Sequence, residues 1–182
     1  MAKSLSLLLI VFTSILVAGI YGILHDQFTY SISEEYYTRF KFIQFGIIEE
    51  EQTTQVENPR IGVCIVGFFA TWWVGFWIGL VLGLVGLVHS SWKRMVLITY
   101  KAMVIALIVS FLIGLLGLGY GYLFLSGSPR ESLSNWFIPN NLSDFKSFVA
   151  VGSMHNFSYM GGLLGLLFAT CFSLMKSRRS LT

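Results

Sequence analysis

The chain has 182 residues, of which 55% are hydrophobic and only 12% charged, with a formal net charge of +3. A soluble domain carries about 25% charged residues, so the composition excludes an ordinary soluble enzyme and leaves no room for a separate soluble domain. Long uncharged runs cross a bilayer core of ~30 Å as helices, because lipid offers no partner to an open backbone N–H or C=O. We therefore expect an all-α, four-helix transmembrane bundle in a single integral membrane domain over 1–182, with spans at about 5–24, 61–88, 96–125 and 147–175. The 25–60 and 126–146 loops form an outward-facing cap.

Span one runs for twenty residues without a charge. Lys3 before it and Ala18-Gly19 within it resemble a secretory leader. The apolar run exceeds the ~7–15 residues of a leader core, so it is read as a retained helix. It stops at His25-Asp26-Gln27. Beyond, Phe28, Tyr30 and Ile32 alternate with Thr29, Ser31 and Ser33, a period of two that suits a short strand or an extended segment. Tyr36, Phe40, Ile43 and Ile47 then fit a helical stripe, while Phe40 and Phe42 fit a strand, and the pattern does not separate the two. Glu49-Glu50-Glu51-Gln52-Thr53-Thr54-Gln55 is polar and aperiodic, as an exposed link would be.

Asn58-Pro59 opens span two, with proline at the first helical position. Cys64 and Cys171 fall near opposite ends of their spans, too far apart for a disulfide, which needs Cα atoms within ~7 Å. His89 lies in the short turn after span two and is expected to be solvated. Beyond span three, Ser128-Pro129-Arg130-Glu131 has the form of a capping box and predicts a short helix over 130–135. Ser143-Asp144 predicts a cap for the helix that becomes span four.

Charge orients the bundle. The two loops hold all nine acidic residues and five basic ones, a net of −4, and the other seven basic residues lie at the opposite end, so the two ends together give +3. Lysine and arginine mark the cytoplasmic side. Both termini are thus expected in the cytoplasm and the loops outside. Seven charges scattered over helix ends call for anionic lipid and for no nucleic acid.

Counting outward from the basic residues places His25, 22 residues from Lys3, and His155, 21 residues from Lys176, in one layer. That layer is about 30 Å from the inner rim at ~1.5 Å per residue. Trp72, Trp73, Tyr120 and Tyr122 share it, as an aromatic belt would. His25-Asp26-Gln27 then marks the outer water–lipid boundary. Glycines every fourth residue (Gly75, Gly79 and Gly83; Gly117 and Gly121; Gly161 and Gly165) permit close helix approach, either within the bundle or in a homo-oligomer.

Imidazole with carboxylate suits divalent transition metals. The candidate metal ligands are His25, Asp26, Glu35 and His155, with Glu34, Asn156 and Tyr159 around them. Met154 and Met160 flank His155 and could add thioether help to a copper ion. Against this stands a structural role, in which the histidines pin the cap to the helix ends. A bis-histidine haem would need both rings within the bundle.

The run His25-Asp26-Gln27-Phe28-Thr29, followed by Glu35-Tyr36-Tyr37-Thr38, resembles a pattern of uncharacterised bacterial multi-pass inner-membrane proteins, in which HDQ, a hydrophobic residue and threonine precede an E-Y-F-T stretch. Here Tyr37 replaces the phenylalanine. The resemblance spans residues 25–38 and implies a bacterial inner-membrane protein without a known activity. The functions weighed are a cap that binds a protein partner or metal ion, a membrane-embedded metalloenzyme acting on an outward-facing or lipid-borne substrate, and an oligomeric pore or transport accessory subunit.

Overall fold

The computed structural model describes residues 2–49 and 56–178. Four long helices carry the fold: α1 (Lys3–Tyr30), α2 (Pro59–Gly86), α3 (Trp92–Tyr120) and α4 (Phe145–Arg178). A wider π-type turn, Gly121–Leu125, extends α3. Each helix is long and apolar enough to cross a membrane, and no strand occurs among the described residues.

The helices associate as two antiparallel pairs, α1 with α2 and α3 with α4, while contacts between the pairs are sparse. Small residues explain the pairing. On α2, Gly75 and Gly79 face Ser14 of α1, and Gly83 faces Leu7. Gly22 and Gly67 meet backbone to backbone. In the second pair, Gly121 faces Ala150, and Gly165 lies on the backbone of Ala106. The glycine stripes noted in the sequence are thus spent within the bundle. Hydroxyls reinforce the contacts: Ser14 Oγ donates to the Gly75 carbonyl at 2.8 Å, and Thr71 Oγ1 to the Ala18 carbonyl at 2.8 Å.

At the loop end, the two loops fold down as a cap with its own apolar core. Tyr30, Tyr36, Tyr37, Phe42, Val63 and Phe148 are among its buried members. Residues 34–44 are helical throughout, as the turns Glu34–Tyr36, Tyr37–Lys41 and Phe42–Gln44. Of the two patterns in the sequence the helix prevails there, and the extended segment expected at 28–33 is replaced by the last turn of α1 and the turn over 31–32 that follows it. The polar link at 50–55 lies outside the described residues.

The second loop contains a single 3₁₀ turn, Arg130–Leu133, shorter than the expected helix over 130–135. Its capping box does not form, because Ser128 Oγ donates instead to the Phe124 carbonyl, 3.1 Å away, left open at the end of α3. The start of α4 follows the sequence more closely: Asp144 Oδ1 accepts from the Ser147 amide at 3.0 Å. The Ser147 hydroxyl first, and then the Ser147 amide, hold the Asp144 carboxyl below the usual carboxylate range.

The opposite end corrects the expectation for His89. The turn after α2 folds against the last turns of α4, so His89 is buried and its Nε2 lies 3.1 Å from Ser173 Oγ. Lys3 Nζ donates to the Leu87 carbonyl at 2.9 Å, and the Arg94 guanidinium to the Lys176 carbonyl at 2.9 Å. Burial, then the charges of Arg94 and Lys3, push the His89 pKa below its ordinary value. Cys64 and Cys171 are free thiols.

Candidate functional site

The polar run at the end of span one does not end the helix. α1 continues for six residues past Leu24, so His25 and Asp26 lie inside a helix and are buried. The helix persists because each polar side chain finds a partner without leaving it. Thr29 Oγ1 donates to the carbonyls of His25 and Asp26 in its own helix, at 3.1 and 3.2 Å. Gln27 exchanges bonds with Arg60, donating to its carbonyl and accepting from its guanidinium, both at 2.8 Å. Asp26 finds two histidines.

Asp26 Oδ1 stands 3.2 Å from His25 Nδ1 and 3.2 Å from His155 Nε2. His25 comes from α1 and His155 from α4, so the group bridges the two helix pairs. The remaining ring nitrogens are also engaged. His155 Nδ1 lies 2.9 Å from the Val151 carbonyl, and His25 Nε2 lies 3.1 Å from Ser158 Oγ. A carbonyl only accepts, so His155 carries a proton on Nδ1. A neutral His155 therefore turns its Nε2 lone pair on the Asp26 carboxylate. Two lone pairs cannot face each other at that distance in a buried site without a cation or a proton between them.

Aromatic rings hold the imidazoles in place. Tyr36 stacks on His155 with centroids 4.8 Å apart, and His25 meets His155 edge to face at 4.9 Å. Tyr37 donates to or accepts from Thr29 at 2.7 Å. Burial first, and the Asp26 charge second, raise the pKa of the Tyr36 and Tyr37 phenols, which therefore stay protonated. The cap thus seals the loop side of the group with neutral aromatic surface.

Of the predicted residues, His25, Asp26 and His155 come together, with one ligand atom of each within 4.8 Å of the others. Glu35 does not join them: its carboxylate accepts from the amides of Ser143 and Asp144, at 2.8 to 3.0 Å, and so caps the approach to α4. Glu34 and Asn156 are exposed. Tyr159 lies beside the group, on the wall of a cavity shared with it. Met154 is buried and Met160 exposed, and neither lines that cavity. The edge contact between the two imidazoles leaves no space for a porphyrin between them, which removes the bis-histidine haem.

Sequence reasoning missed Ser158, Tyr21 and Ser110. Tyr21 donates to Ser110 Oγ at 3.3 Å, and Ser110 donates to the Ser158 carbonyl at 2.8 Å. Ser158 follows His155 by three residues and Tyr21 precedes His25 by four, spacings that share a helix face. The cavity itself, about 600 Å³, lies between the two helix pairs. Its walls are almost entirely carbon, and its polar end is the His25–Asp26–His155 group. The chain matches no protein-family model, no curated protein and no solved structure.

Proposed function

We propose that this is a bacterial inner-membrane protein whose His25, Asp26 and His155 side chains hold a divalent transition-metal ion beneath an extracytoplasmic cap. The observation that carries the reading is the Val151 carbonyl on His155 Nδ1. It fixes the tautomer that offers Nε2 as a ligand, and a ligating histidine characteristically donates its other N–H in this way. Two of the three spacings agree: two ligand atoms ~2.0–2.1 Å from an ion at the tetrahedral angle stand about 3.3 Å apart, against 3.2 Å from Asp26 to each imidazole, while the two imidazole nitrogens stand within 4.8 Å of each other.

Two imidazoles and one carboxylate suit Zn(II), Fe(II) or Mn(II). Three protein ligands leave a position for water or a substrate, which makes a metalloenzyme the natural extension of the reading. The test is the metal content of purified protein, wild type beside His25→Ala and His155→Ala. About one ion per chain, lost in either variant, supports the proposal. A wild type that stays metal-free after exposure to Zn, Mn, Fe, Ni and Cu overturns it, and the group is then an electrostatic clasp between the helix pairs.

A further inference from the structure

Positive charge gathers at the end of the bundle opposite the cap, around the turn that joins α2 to α3. Lys3 Nζ donates to the Leu87 carbonyl and Ser177 Oγ to the Val88 carbonyl, while His89 Nε2 lies against Ser173 Oγ. Arg94, in the first turn of α3, reaches the Lys176 carbonyl. These bonds draw Lys3, His89 and Arg94 to one place. Burial first, and then the charges of Arg94 and Lys3, disfavour a proton on the His89 ring.

The donors there outnumber the acceptors. An ammonium and a guanidinium each carry several N–H groups, and Lys3 and Arg94 each place one on a carbonyl. Arg94 Nε is buried with no partner among the described residues, as is His89 Nδ1. A buried donor without an acceptor is costly. No side-chain carboxylate can fill the role, since aspartate and glutamate are absent from 1–25, 58–130 and 145–182. The backbone adds to the same field. α1 begins at Lys3 without a side-chain cap and α3 begins at Trp92, so both bring open amides and the positive end of a helix dipole to this end of the bundle.

The ligand that fits is an anion with several acceptor oxygens. Guanidinium and ammonium groups receive a phosphate group well. The place is where α1 and α3 begin and α2 and α4 end, at the edge of the apolar spans, the level of lipid phosphates. Diffuse attraction of anionic lipid to basic helix ends needs no particular residue, whereas the open donors single out two. Lys93 carries the same charge, but it is exposed and its ammonium lies over the Trp92 ring.

We propose that Lys3 and Arg94 form a site for one phosphate group, carried by a membrane lipid or free in solution, against the turn that buries His89. The site is about 33 Å along α1 from His25 and is independent of an ion there.

The probe is short-chain phosphatidylglycerol, with the full-length protein in detergent and bound lipid counted by native mass spectrometry. One saturable lipid per chain is expected. Phosphatidylcholine, whose head brings a cation to a site without an acid, should not compete. Arg94→Gln and Lys3→Gln should each weaken binding about tenfold or more, as loss of a charged hydrogen-bond partner does. Lys93→Gln removes the same charge and should leave binding unchanged. Lys3 stands at the very start of α1, so Lys3→Gln carries the test should Arg94→Gln not fold. Inorganic phosphate separates the sources: displacement of the lipid assigns the site to free phosphate, and persistence of the lipid assigns it to a lipid head.

Equal weakening by Lys93→Gln and Arg94→Gln would overturn the proposal, because net charge alone would then matter. So would lipid binding untouched by Arg94→Gln and Lys3→Gln, equal binding of phosphatidylcholine, or a protein that takes up neither lipid nor phosphate.

Discussion

Ser158→Ala tests the centre at the atom where two separate costs coincide. Were the proposed ion bound, His25 would ligate through Nδ1, and Nε2 would carry the proton and donate to Ser158 Oγ, 3.1 Å away. Removing the hydroxyl leaves that N–H buried without a partner, a cost of about 1–3 kcal/mol. Loss of the group that orients a ligating histidine lowers metal affinity about 10–100-fold, and at ~1.4 kcal/mol per decade this is about 1.4–2.8 kcal/mol. The two figures describe one loss from opposite ends, and they agree. The assay is a Zn(II) titration of detergent-solubilised protein against a competing chelator. Ser153→Ala serves as the control, because Ser153 Oγ is buried on the same helix without a partner among the described residues and touches none of the three ligands. Ser158→Ala should weaken binding within that range and Ser153→Ala should leave it alone. Unchanged affinity in Ser158→Ala would refute the idea that Ser158 sets the His25 tautomer.

Three further outcomes follow from packing and charge. A methyl at Gly22 would press on the Gly67 carbonyl and on Thr71, neither of which can swing aside, so Gly22→Ala should lose about 1–3 kcal/mol of stability. Gly119→Ala, in open space, should not, and thermal unfolding in detergent compares them. Tyr37→Phe removes one hydrogen bond to Thr29, which keeps its own helix carbonyls. Limited proteolysis should find the cap weakened by about 0.5–1.5 kcal/mol, against about 3–5 kcal/mol for Tyr37→Ala. His89 has its pKa lowered in the folded state, so below about pH 6.5 the unfolded chain takes a proton that the folded one refuses. Its contribution to stability is complete above that pH and is lost as pH falls toward the lower, folded value. Unfolding midpoints measured across that range should drop less in His89→Gln than in the wild type.

Most of the architecture was legible because lipid enforces it. Runs without charge admit only helices, and the four spans, the glycine-faced pairing and the Asp144 cap follow from composition and local rules. The shared depth of His25 and His155 was readable by counting, since helices have a fixed rise. Helix ends were not readable. The sequence places three polar residues after Leu24, and a boundary there assumes that polar groups need water. His155, Arg60 and Thr29 supply those partners instead, two of them from other helices. Glu35 failed as a ligand for a related reason: the free amides at 143–144 come from the far loop and capture its carboxylate. His89 shows the same limit, because a short turn gives no sign of what folds over it.

The two helix pairs contribute unequally to the centre: His25 and Asp26 from one hairpin, His155 from the other. The group is therefore complete only when the hairpins have docked, and the seam between them is otherwise thinly joined. By linkage, a ligand bound across that seam favours the docked arrangement by RT ln(1 + [L]/Kd), about 2.7 kcal/mol at a hundred times Kd. An occupant of the seam thus acts as a thermodynamic staple. Its removal leaves each hairpin intact but relaxes the joint between them, so the looseness of the molecule becomes a gauge of what it carries.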